Sequence, residues 1–122
     1  MPLLTTSTDG EILTIYFNEA RILDELVIRQ VQEDIIALLG KAEERCVLLD
    51  FRRVQFLSSS ALGALLRIHK KCKDFQIALR MSNIAPEIMK VFKITSLDTI
   101  FRIHKDADDA NEAFRKDQLF SQ

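Results

Sequence analysis

Three consecutive hydroxyls, Ser58-Ser59-Ser60, stand where an extended-looking segment gives way to a helical apolar pattern. The first turn of a helix exposes unpaired amides and the positive end of the dipole. Serines there can cap those amides or carry a phosphoryl group. The dipole favours that added charge by about 0.3–1 kcal/mol, and the phosphate brings nearly two negative charges to the local surface. Spacing alone leaves both roles open for all three serines. A nucleophilic role lacks support, because the run has no G-x-S-x-G elbow. The only three glycines, Gly10, Gly40 and Gly63, spell neither glycine-rich nucleotide cradle. His69 and His104 lie far apart and in no H-x-x-x-H spacing, so no metal site is expected; His69 falls at the edge of a helical apolar stripe. Cys46 and Cys72 lack C-x-x-C spacing and read as small buried hydrophobes in a reducing compartment. Arg52 and Arg53, just upstream of the serines, suit either steering of a phosphate or acidic partner, or a solvated loop pair. The residues therefore point away from an enzyme and from any cofactor.

The whole chain bounds the answer further. With 17 Lys plus Arg against 18 Asp plus Glu the formal charge is −1, and 48% of the 122 residues are apolar. This is a globular composition, at the usual size of one domain, here taken as 1–122. Near-neutral charge weighs against a dedicated nucleic-acid binder. Arg29, Lys70, Lys71 and Lys73 read as ordinary outer helix faces. Met1 to Gly10 has neither a basic nor an apolar leader segment, and the longest apolar run, Ile35 to Leu39, is far short of the roughly 20 residues of a membrane span. A cytoplasmic protein without membrane insertion is expected.

Alternating strands and helices must position the serines. Asp9-Gly10 suits a tight type I′ hairpin, with Leu13, Ile15 and Phe17 on one face of its second arm and Ile12, Thr14 and Tyr16 on the other. A short strand around Arg21 to Leu23 would extend it. Asp24 caps a helix whose inner face is Val27, Ile28, Val31, Ile35 and Leu38, with Gly40 as its left-handed terminator. Cys46 to Leu49, ending at Asp50, is apolar on both faces and suits a central parallel strand. The helix after the serines turns Ala61, Leu62, Leu65, Leu66, Ile68 and Cys72 inward and Arg67, Lys70 and Lys71 outward. Phe75, Ile77, Leu79 and Met81 alternate as a strand; Pro86 opens a helix through Ile88, Met89 and Phe92. A strand near Thr99 to Ile103 precedes a last helix with Ala107, Ala110 and Phe114 inside and Asp106, Asp108 and Asp109 in its first turn.

From Val47-Leu48-Leu49-Asp50-Phe51 through Val54-Gln55-Phe56-Leu57-Ser58-Ser59-Ser60-Ala61-Leu62-Gly63 the sequence resembles the STAS signature of bacterial anti-sigma factor antagonists, a strand ending in Asp and then Val-x-Phe-Ile-Asp-Ser-Ser-Gly-Leu-Gly. Pro86 to Phe101 is similar to the family's helix and Thr/Ser-Gly-Leu turn. Ser58, Ala61 and Ser96 stand where that pattern has Asp, Gly and the turn Gly. The resemblance implies an α/β fold with a mixed sheet, an N-terminal β-hairpin at one edge and helices packed chiefly on one face. It also implies a regulatory module that binds an anti-sigma factor, itself a serine kinase of histidine-kinase-like ATPase fold, with a phosphatase to reset the state. Ser59 matches the phosphorylated serine, and Ser58, Ser59, Ser60, Ala61 and Leu62 the partner-binding turn. A non-phosphorylated adaptor in a transport or signalling assembly is the other reading.

Overall fold

Two strands joined at Gly10 open the chain. In the computed structural model, which describes residues 2–120 and side chains as far as Asp117, β1 (Leu4–Asp9) pairs antiparallel with β2 (Ile12–Phe17), Leu4 opposite Phe17 and Asp9 opposite Ile12. The two-residue loop is Gly10-Glu11, and of these only Gly10 has positive φ, at 60°. That is the backbone of a type II′ turn, since type I′ requires positive φ at both loop positions. The Asp-Gly expectation is corrected accordingly: Asp9 is the last ladder residue.

β3 (Arg21–Ile22) does not extend the hairpin. It pairs parallel with β5 (Phe56–Leu57) in a separate ribbon, because the Ala20 carbonyl accepts from the amides of both Gln55 and Phe56 and draws the chain across. α1 (Glu25–Lys41) starts as expected at Asp24, whose Oδ1 accepts from the amides of Leu26 (2.8 Å) and Val27 (3.3 Å). Ile28, Val31, Ile35 and Leu39 form its buried stripe, with Val27 and Leu38 at the margins. Gly40 lies inside the helix, which leaves through an extended Ala42, so no left-handed terminator is needed.

The main sheet runs β1-β2-β4-β6-β7, with β4 (Cys46–Asp50), β6 (Ala78–Ser82) and β7 (Arg102–His104) parallel to β2. β4 is buried along its whole length. α2 (Ser59–Asp74) buries Ala61, Leu62, Ala64, Leu65, Ile68 and Cys72. Leu66, expected inside, is exposed, being one position round from the Leu62, Leu65, Ile68 stripe. Phe75 ends α2 rather than starting a strand, since Gln76 then takes φ 58° and turns the chain before β6. α3 (Pro86–Ile94) has Pro86 in its first turn, and α4 (Ala107–Phe120) begins with the Asp106 carboxylate accepting from the Asp109 amide.

These helices divide unequally. Residues of α1, α2 and α3 pack with Leu13, Ile15, Val47, Leu49 and Met81 on one face, while α4 alone covers the other, Ala110 and Phe114 meeting Ile12, Cys46 and Leu48. α4 is also pinned by polar contacts. Buried Arg80 donates to His104 Nε2 (2.9 Å) and to Asp117, lies over the Phe114 ring, and His104 Nδ1 donates to Asp109 (2.8 Å).

The His104 hydrogen bond holds the Asp109 carboxyl below its ordinary value. A carboxyl lowered by folding stabilises above its unfolded value, and that contribution disappears as pH falls through the folded one. Asp109→Asn should therefore flatten the acid side of the stability profile and leave neutral-pH packing of α4 intact, as read by chemical denaturation against pH. Ser96, just past α3, sits left-handed at φ 60° without being glycine. Ser96→Gly should raise stability by about 1 kcal/mol, measured as a higher Tm.

Candidate functional site

The site begins with a buried charge. Asp50 ends β4 with no exposed surface, and its carboxylate accepts from the Arg52 amide (2.9 Å), Arg52 Nε (3.1 Å to each oxygen), Arg52 Nη2 (2.7 Å) and Asn83 Nδ2 (3.2 and 3.3 Å). A buried carboxylate costs several kcal/mol unless it is matched in this way. The match fixes the loop that follows. Phe51 and Val54 are buried, the Phe51 amide donates to the Ser82 carbonyl, and the Phe51 ring lies 4.7 Å from that of Phe17. Arg52 is therefore half of an ion pair, and Asp50 raises its pKa through hydrogen bonding and charge.

The anchored loop feeds β5, and pairing with β3 carries the backbone to Ser58, whose amide donates to the Ile22 carbonyl. The three serines then part company. Ser58 is extended (φ −86°, ψ 168°) and caps α2: its Oγ accepts from the Ala61 amide (3.2 Å) and its carbonyl from the Leu62 amide. Ser60 donates to Glu25 Oε1 at 2.7 Å, tying the first turn of α2 to that of α1. Ser59, between them, is exposed, and its hydroxyl has no hydrogen-bond partner among the described residues. Ser59 thus presents an exposed, unbonded hydroxyl on the first turn of the helix.

Ala61 is buried, with its methyl group in the core. Leu62 is buried but for its edge, which helps to line a small cleft of about 130 Å³ with Phe56, Leu57, Ile88 and Val91. Around the turn, Leu23, Leu26, Phe56 and Val91 expose between 41% and 73% of their surface. Exposed apolar groups clustered beside a polar turn are a common mark of a protein interface. Sequence reading missed Phe56 and Leu26. The only signal was that both fall outside the inner stripe of their elements, which an isolated surface hydrophobe also does.

Other candidate residues lie elsewhere. His69 meets the Phe101 ring edge-on at 5.2 Å, and burial together with Lys73 lowers its pKa. Cys46 and Cys72 are buried on opposite faces of the sheet, and burial pushes the Cys72 thiol up to about 12, far from a reactive thiolate. Among the described residues no group of three His, Cys, Asp or Glu is placed to hold a metal, and no helix is long and apolar enough to cross a membrane.

Residues 5–110 match the family model described as the STAS domain. Over 86 residues, 70% of this chain and 73% of the relative, the sequence is 29% identical to a Bordetella bronchiseptica protein named as an anti-sigma factor antagonist, BtrV. The fold is shared with an anti-sigma-factor antagonist (STAS) domain protein from Planctomyces limnophilus, at TM-score 0.78 and 23% identity over 90% of this chain and 95% of that one. It is shared also with the anti-sigma factor antagonist SpoIIAA in its unphosphorylated form, at TM-score 0.74 and 18% identity over 93% and 96% of the two chains.

The distinct bonding of the serines gives a direct expectation. Ser58→Ala should cost about 1 kcal/mol through loss of the cap. Ser59→Ala should stay within about 0.5 kcal/mol of the parent. Urea denaturation of the two variants checks the pair.

Proposed function

The chain belongs to the STAS domain family, and on that premise we propose that it is an anti-sigma factor antagonist whose partner binding is switched by phosphorylation of Ser59. The observation that carries this reading is the division of labour at the turn: Ser58 is spent on the cap, Ser60 on Glu25, and Ser59 alone offers an exposed, unbonded hydroxyl. The similarity to BtrV supports the partner class. In this reading the partner is an anti-sigma factor that is also a serine kinase of the histidine-kinase-like ATPase fold. A phosphatase resets the protein, and the exchange takes place in the cytoplasm. Any chemistry is done to the chain rather than by it.

The switch is electrostatic. Without phosphate, the turn and the exposed Phe56 and Leu26 offer a partner an apolar rim around small hydroxyls. Phosphate on Ser59 adds up to two negative charges beside Glu25, already present through Ser60. A partner must then desolvate and oppose that charge, and each 1.4 kcal/mol so lost weakens binding about tenfold. The start of α2 suits the group, because the positive end of the helix favours negative charge and Ser59 is exposed. Glu25 also places an acid at the turn from a different element, where Ser58 stands in the position the family pattern gives to Asp.

Ser58 and Ala61, standing where the family pattern has Asp and Gly, favour a second reading, an adaptor subunit whose serines are plain caps. One experiment separates the two. Tagged parent and Ser59→Asp proteins are used to recover partners from native cells, with mass spectrometry as the readout. The switch predicts an ATPase of the histidine-kinase-like fold retained by the parent and depleted at least about tenfold by Ser59→Asp. Equal retention by both would overturn the switch, and transporter or scaffold subunits in its place would establish the adaptor.

A further inference from the structure

A polar concavity lies at the carboxyl ends of β2 and β4, separate from the serine turn. It encloses about 250 Å³ and is lined by Thr5, Tyr16, Asn18, Arg52 and Arg53. That is below the usual size of a site for a large organic ligand and suits a small anion with its water. The loops beyond the carboxyl ends of parallel strands are also where ligands of open α/β sheets are bound.

The donor inventory points one way. No carboxylate lines the cleft. Thr5 Oγ1 already accepts from Asn18 Nδ2 (2.8 Å), which leaves its hydroxyl hydrogen to donate. Asn18 has its Nδ2 engaged also by the Pro2 carbonyl, and its Oδ1 faces Arg53 Nη1 at 3.4 Å. Arg52 is held by Asp50 through Nε and Nη2, and its guanidinium lies 5.2 Å from the centre of the Tyr16 ring. Its Nη1 hydrogens remain free, on a side chain half exposed to solvent. A buried carboxylate that clamps one edge of a guanidinium fixes the direction of the other edge. This is how second-layer groups orient a ligand-binding arginine. Asp50 cancels one positive charge and Arg53 supplies another, so the lip of the cleft stays cationic.

We propose that this cleft is a binding site for a tetrahedral phosphate, either free or as the ester group of a small metabolite, held by Arg52, Arg53, and the hydroxyls of Tyr16 and Thr5. Asp50 is the positioning residue for Arg52. Guanidinium forks match the oxygen spacing of phosphate, and the two hydroxyls donate to the remaining oxygens. The site is independent of the Ser59 reading and holds whether or not that serine is modified.

Titration of the ¹⁵N-labelled full chain tests it, with inorganic phosphate, adenosine 5′-monophosphate, and sodium chloride at matched ionic strength as probes. The expected result is saturable shifts of the Tyr16, Asn18, Arg52 and Arg53 amides with either phosphate probe and none with chloride. Arg53→Gln should weaken the apparent affinity about tenfold, and Tyr16→Phe should weaken it less, both with a folded spectrum. Arg52 is left in place because its removal would strand the buried Asp50 charge. Tighter binding of the nucleotide would identify the ligand as a phosphate ester, and equal binding as phosphate itself. Shifts that appear equally with chloride, fail to saturate, or persist unweakened in Arg53→Gln would overturn the site.

Discussion

Everything near the serine turn depends on one buried charge. β4 is apolar until its last residue, and there the chain places Asp50 at full burial. The core admits that carboxylate only because Arg52, Asn83 and a backbone amide surround it. Satisfying it takes two elements, the loop after β4 and the turn after β6, and so locks their geometry together. The loop, thus fixed, delivers Phe51 and Val54 to the core and hands the chain to β5 in a single register with β3. The serines inherit their positions from that register.

α2 then serves two masters along its length. Its body is a core helix, with Leu65, Ile68 and Cys72 packed beneath the sheet face. Its start lies at the surface, where Ser59 is exposed while Ala61 and Leu62 already turn inward. Because the cap is made by Ser58 and the cross-helix bond by Ser60, the residue between them is free of structural duty. A site that can be charged without loosening the helix has to be placed in this way, on a rigid element but off its bonding network. In the proposed switch, the exposed apolar residues around it are the surface on which the charge acts.

The sequence revealed the elements better than their joints. Period-2 alternation in Ile12 to Phe17 and the inner stripes of α1 and α2 reflect burial, which acts on every residue of an element at once, so the pattern is redundant and readable. Asp24 and Pro86 were legible for the same reason, each having one local job. Joints depend on single backbone angles. Asp9-Gly10 read as a type I′ loop, yet register put Gly10-Glu11 in the turn. Gly40 looked like a terminator, but an extended Ala42 made one unnecessary. Leu66 and Phe75 were misplaced by one helical step and by the left-handed Gln76 respectively. At the site, the serine run was visible and its division of labour was not. The partner of Ser60 is Glu25, 35 residues earlier, and no local pattern announces a contact across that separation. The Arg80, His104 and Asp117 contacts that pin α4 were hidden for the same reason.

In the proposed switch, one serine of the three is free of the fold's bonding and available for modification. The most direct test is site-resolved mass spectrometry of the tryptic peptide from Val54 to Arg67, taken from protein isolated from its native cells. The expected result is a population carrying a single phosphate, localised to Ser59. Phosphate on Ser58 or Ser60 instead would contradict it, because each of those hydroxyls would have to abandon a bond that the fold uses.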